Sequence, residues 1–334
     1  MEDGTKRDCR GRIKAMGVVD VVLGGLCGLT LLFGVGGTLL GRAFVARAGA
    51  GPEASLPASL SSLGVYAIAA AFFFVAGVGA LRLRRWVRPL VLAFMWPTLL
   101  CGVAGFALAV AYLPAMFDAM PLPEGPSPAL QRAVMHGVAV VLDVVLFLAL
   151  VAVPAVHVLV FQPAAVRETL ERCDTARRFT DGCPTPVFGI AVSLVSIGLM
   201  ELFSIATGVA LFFGVVLTGP AAALLLAAEA AACLVLARLT FRCHPAGFWG
   251  SVAFMVYVSA RNGVAFLLID CADVVAATGM VDARSAEAME RVYSDLRLGP
   301  IIAAFWGVAG LSAAAYVLCQ RKYFKPAAAP RAPR

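Results

Sequence analysis

Long apolar runs separated by short charged or proline-rich breaks dominate the chain. Eight of them reach the roughly 20 residues that a helix needs to cross a bilayer. They lie at about 16–41, 61–81, 89–113, 134–161, 187–217, 220–237, 247–269 and 299–318. From Val187 to Leu236 the only charged side chains are Glu201 and Glu229. The fifth and sixth spans are therefore divided at Leu217-Thr218-Gly219-Pro220, where Gly219 is expected to end one helix and Pro220 to begin the next. Pro97 and Pro154 fall inside spans and predict kinks or a local opening of the backbone ladder.

Outside the spans, residues 163–173 place Val166, Leu170 and Cys173 on one helical face with charges on the other, predicting a short amphipathic helix. Residues 282–296 place Met289, Val292 and Leu296 similarly, and the Pro/Ala-rich tail is expected to be disordered. The resulting organisation is a basic N-terminus at 1–15, four spans at 16–161, a linker at 162–186, four spans at 187–320 and a basic tail at 321–334. "VFQPAAVR" after the fourth span returns as "YFKPAAAPR" after the eighth. A duplication of four spans would make the halves parallel, facing each other across a central interface, against chance recurrence in so biased a composition.

Composition turns the periodicity into a compartment. The chain is 61% hydrophobic and 14% charged, with a mean hydropathy of +0.90, far outside soluble usage. The formal charge of +7 does not signal a nucleic-acid partner, because the basic residues sit between apolar runs. With the N-terminus inside, cytoplasmic segments hold 20 Lys and Arg and outside segments 6, with Arg261 the last of the 27. The positive-inside rule then places both termini in the cytoplasm. The apolar stretch from Ala15 to Gly41 is about twice the length of a signal-peptide core, so the first span is expected to remain uncleaved. Nine scattered cysteines without a C-x-x-C pair suggest neither a disulfide framework nor a zinc site.

Ionisable residues inside a bilayer are functional or paired. Those here are Asp20, Asp143 with His136 and His157, Glu201, Glu229 and Arg261. His136, Asp143 and His157 are spaced by 7 and 14 residues, which puts them on one stripe of an α-helix with gaps of roughly 10 and 21 Å. That stripe offers a water-linked proton path; the simpler reading has both histidines at the interfaces and only Asp143 buried. Asp20 is expected to reach water near the cytoplasmic end of its span. Arg261, beside Asn262, cannot shed its charge, so it either snorkels or turns inward to an acid; the inward reading is favoured, with Glu201, expected near mid-bilayer, as its partner before Glu229. Gly24, Gly28, Gly37 and Gly41 have GxxxG spacing, giving smooth faces for helix packing or oligomerisation.

The chain contains no H-E-x-x-H, P-loop or G-x-S-x-G motif, and its loops leave no room for a soluble catalytic domain. The expectation is an all-α integral membrane protein without cofactor or metal, in contact with the lipid bilayer. Its best functional reading is a transporter or permease for a small solute or ion, with a polar site formed by Glu201, Glu229, Asp143, Arg261 and Asn262. The alternative is a non-catalytic scaffold whose buried charges only fix helix packing. Charges converging on a wet cavity would favour the first, and dry paired charges the second.

Overall fold

The computed structural model describes residues 8–48, 56–119, 127–176, 178–269 and 297–324, with 273–274, 277, 290–291 and 293–295 between the last two stretches. Runs that are apolar on every side fold as helices because hydrocarbon leaves the backbone no partner but itself. Among the described residues, eight helical segments are long and apolar enough to cross a membrane, and the protein is an all-α multi-pass membrane protein. In chain order the helices are α1 (Arg10–Ala48), α2 (Leu56–Leu81), α3 (Val87–Ala119), α4 (Pro128–Phe147), α5 (Val153–Phe161), α6 (Ala164–Cys173), α7 (Thr185–Ser204), α8 (Gly219–Phe241), α9 (Pro245–Leu268) and α10 (Leu298–Cys319). One span combines α4 and α5 through a π-helical segment, Leu148–Ala152.

Several boundaries differ from the apolar runs. The first helix begins at Arg10, because arginine and lysine propagate a helix well even where they end a hydrophobic run. The tail stays ordered through a 3₁₀ turn, Arg321–Tyr323, to the buried Phe324. The helix expected at 282–296 lies mostly outside the described residues, and residues 325–334 lie wholly outside them. The amphipathic segment 163–173 forms α6, with Val166 and Leu170 buried against the bundle.

The largest departure lies between the fifth and sixth spans. Instead of continuing to residue 217, α7 ends at Ser204, and a 3₁₀ turn (Ile205–Thr207) leads into an antiparallel hairpin of β1 (Val209–Phe212) and β2 (Val215–Thr218). Phe213 and Gly214 form its turn with φ of 45° and 89°, the paired positive values that suit the right-handed twist of two strands. Gly208 and Gly219, at φ of 65° and 61°, close its base, where the Gly219 amide donates to the Gly208 carbonyl at 2.8 Å. Gly219 therefore closes a hairpin where a helix end was expected, while Pro220 does occupy the first turn of α8.

Buried side chains form two principal clusters. One joins α1, α2, α3, α5 and α6 through Ile13, Phe72, Val91, Met95, Phe161 and Val166. The other joins α7 to α10 through Val187, Leu194, Cys233, Phe248, Phe254 and Val317, with Ala93 of α3 packed into it. Small residues set the closest crossings. A Cβ on Gly77 would stand 2.9 Å from the Gly17 carbonyl oxygen, so α1 and α2 meet backbone to backbone. Gly24 lies against Phe74 of α2, Gly28 touches the same ring more loosely, and Gly37 faces open space; the surroundings of Gly41 lie outside the described residues.

Candidate functional site

Three helices bring three charges together. Gly198 of α7 and the alanine-rich stretch around Glu229 of α8 let the two helices approach closely; a Cβ on Gly198 would meet Cys233 Cβ at 2.9 Å. Their acids meet Arg261 of α9. Its Nη1 donates to Glu229 Oε2, and its Nη2 donates to Glu201 Oε1 at 3.4 Å and to Asn262 Oδ1 at 3.3 Å. Tyr257, one helical turn before Arg261, donates its hydroxyl to Glu229 Oε1 at 2.5 Å. The Arg261 and Glu229 side chains are 8% and 5% exposed, and Glu201 is 13% exposed. Arg261 Nε is buried without a hydrogen-bond partner among the described residues.

Arg261 thus turns inward and does not snorkel, but its closer partner is Glu229, not Glu201. The shortened α7 explains the difference. Glu201 falls in the last turn of its helix instead of mid-span, and reaches the guanidinium from that end. Tyr257 joins the site as well, and the only sequence signal for it is the spacing of four residues from Arg261, which puts both on one face of a helix.

The hairpin packs beside this triad. Ala210 is buried against Ala222 and Leu226 of α8, and the Phe213 ring lies 6.0 Å from that of Tyr257, the residue that holds Glu229. Leu268, at the end of α9, lies against Gly214.

A second buried polar contact joins α1 to α5. His157 Nε2 lies 2.5 Å from Asp20 Oδ1, and neither side chain is exposed. His157 Nδ1 donates to the Val153 carbonyl at 2.7 Å. Asp20 therefore does not reach water as expected, and His157 is enclosed by the protein. The π-helical segment between Asp143 and His157 inserts an extra residue into the ladder, so heptad spacing no longer holds the two on one stripe. His136 sits at an exposed position 3.3 Å from Asp118. Asp143 is half-buried on α4, with Oδ1 unpartnered, and makes no hydrogen bond to the triad. The proton path through His136, Asp143 and His157 is therefore not assembled, and Asp143 does not join the other acids.

Asp174 organises the arginine-rich end of the bundle. It accepts two hydrogen bonds from Arg178, at 2.7 and 2.9 Å, and one from the Arg85 amide at 3.2 Å, with Arg84 Nη1 3.5 Å away. The Arg178 hydrogen bonds hold its carboxyl below the usual carboxylate range, against the opposing effect of burial. Arg85 and the Arg178 amide both bind Asp181. Arg12 of α1 donates to the Leu159 carbonyl at 2.8 Å, so the chain start and the segments at 82–88 and 162–185 share one end.

Among the described residues no three His, Cys, Asp or Glu side chains gather closely enough to hold a metal ion. No family profile, curated protein or solved structure matches the chain.

Proposed function

We propose that the protein is a transporter of a small solute or ion, working through the Glu201–Arg261–Glu229 triad, with both termini in the cytoplasm. The observation that carries this reading is the charge imbalance at one buried point: two carboxylates from α7 and α8 face a single guanidinium from α9. A surplus carboxylate in a membrane interior is stable only with a proton or cation beside it, the species that a transport site exchanges. Glu201 is the exchanging group. It is the more exposed acid, holds Arg261 at the longer distance, and sits at the helix end next to the hairpin, whereas Glu229 is committed to both Arg261 and Tyr257.

A second reading, a membrane scaffold without cargo, is favoured by the near-complete burial and mutual pairing of Arg261 and Glu229. Proteoliposomes loaded with a pH-sensitive dye and screened against small solutes separate the two. Transport requires solute-dependent acidification that Glu201→Gln abolishes while the protein still assembles. No flux in wild type across the screen, with unchanged assembly of Glu201→Gln, sinks the transport reading and leaves the scaffold.

A further inference from the structure

A cleft of about 560 Å³ opens at the arginine-rich end, between the start of α3, the amphipathic α6 and the segment entering α7. Arg85, Arg88 and Arg167 line it, together with Thr180 and Thr185. Each arginine keeps donor capacity in reserve. Arg85 gives Nη2 to Asp181, yet its Nε is buried without a partner among the described residues. Arg88 spends Nε and Nη2 on the Phe161 and Gln162 carbonyls, at 3.0 and 3.1 Å, leaving Nη1 uncommitted among the described residues. Arg167 is held by Glu171 at 2.8 Å on the exposed face of α6. The N-terminus of α7 meets the cleft at Thr185, whose amide no side chain caps among the described residues, while Pro184 and Pro186 on either side carry no N–H.

We propose that this cleft binds a phosphate-bearing anion, either the headgroup of an anionic lipid or a soluble phosphoester. Guanidinium forks, hydroxyls and a free backbone amide at a helix N-terminus are donors that phosphate oxygens take. The three arginines outnumber Asp181 and Glu171, so the empty cleft is net positive. The amphipathic α6 forms one wall where the spans end, the level of lipid headgroups, and basic pockets between spans at that level select anionic lipids.

The test uses the full chain in detergent and native mass spectrometry with phosphatidic acid, phosphatidylcholine and glycerol phosphate. Wild type is expected to retain phosphatidic acid about tenfold better than phosphatidylcholine, a difference of roughly 1.4 kcal/mol. Arg88→Gln with Arg167→Gln removes that preference. Arg172→Gln, which removes one charge from α6 outside the cleft as Arg167→Gln does within it, preserves it. Arg167→Gln alone, at an exposed position, gives a partial loss in a protein whose fold is not in question. Displacement of the lipid by glycerol phosphate identifies a headgroup-only site open to soluble phosphoesters, and resistance to displacement identifies the membrane as the source. The proposal falls if phosphatidic acid is retained no better than phosphatidylcholine, or if Arg172→Gln lowers retention as much as the cleft variants.

Discussion

His157 Nε2 and Asp20 Oδ1 lie 2.5 Å apart in a contact closed to solvent on both sides. Because the Val153 carbonyl can only accept, His157 Nδ1 carries a proton. A hydrogen bond at Nε2 then needs one further proton, held by the histidine or by the acid, and the pair is neutral overall either way. His157→Ala leaves a buried acid without its partner and is expected to lower stability by about 3–5 kcal/mol. Asp20→Asn keeps a donor facing Nε2 and is expected to cost far less. Thermal unfolding in detergent, followed by size-exclusion fluorescence, checks both; equal losses would show that the contact is not a shared-proton pair.

The triad carries its own ordering. Arg261→Ala orphans two acids and is expected to cost about 3–5 kcal/mol. A double-mutant cycle with Glu229→Ala should recover more of that loss than one with Glu201→Ala, since Glu229 holds the guanidinium more closely. Equal coupling to the two acids would contradict the observed pairing.

Gly77→Ala forces a methyl group against the α1 backbone, within 2.9 Å of the Gly17 carbonyl oxygen. The expected loss is about 1–3 kcal/mol, read as a lower unfolding midpoint. Gly37→Ala, which meets nothing within 4 Å, serves as the neutral control.

Orientation is testable with single-cysteine proteins and an impermeant maleimide. Cys319 is exposed at the arginine-rich end of α10 and should react only after permeabilisation, whereas Cys271 should react from outside. Cys183 is a poor reporter, because burial pushes its thiol up to about 12. External labelling of Cys319 would invert the proposed topology.

Acid should loosen the arginine-rich end. The folded-state carboxyl of Asp174 is held below its ordinary value by Arg178. Its stabilising contribution is therefore complete above the unfolded value of about 4 and is lost as pH falls through the lower folded value. Asp174→Asn is expected to flatten that acid limb of the unfolding midpoint while leaving Asp20–His157 coupling intact. An unchanged limb would show that other carboxylates govern it.

The helices were legible because uninterrupted apolar runs of bilayer length have few other solutions, and the inward turn of Arg261 followed from a charge that cannot be neutralised. The hairpin was obscured by the same apolarity. Val209 to Thr218 is as hydrophobic as a helix, and only the glycines at 208, 214 and 219 around β-branched and aromatic runs mark a different fold. Asp20 and His157 stand on separate spans, 137 residues apart in the chain. Their common depth was readable, since Asp20 lies six residues from Lys14 and His157 six from Pro163, but which helices are neighbours is a tertiary fact that spacing along one helix does not carry.

The π-helical segment Leu148–Ala152 holds a slack in the fourth span that its composition hides. It carries one residue more than an α-helical path would need, and each residue turns an α-helix by about 100°. An unbroken α-helix over the same residues would turn His157 by about that angle, away from Asp20. Deleting a single residue within Leu148–Ala152 removes the surplus and is expected to leave α5 in place. A double-mutant cycle on the deleted background should then still find Asp20 and His157 coupled. Which way His157 faces depends on how the backbone absorbs one residue, not on which apolar side chains fill the span.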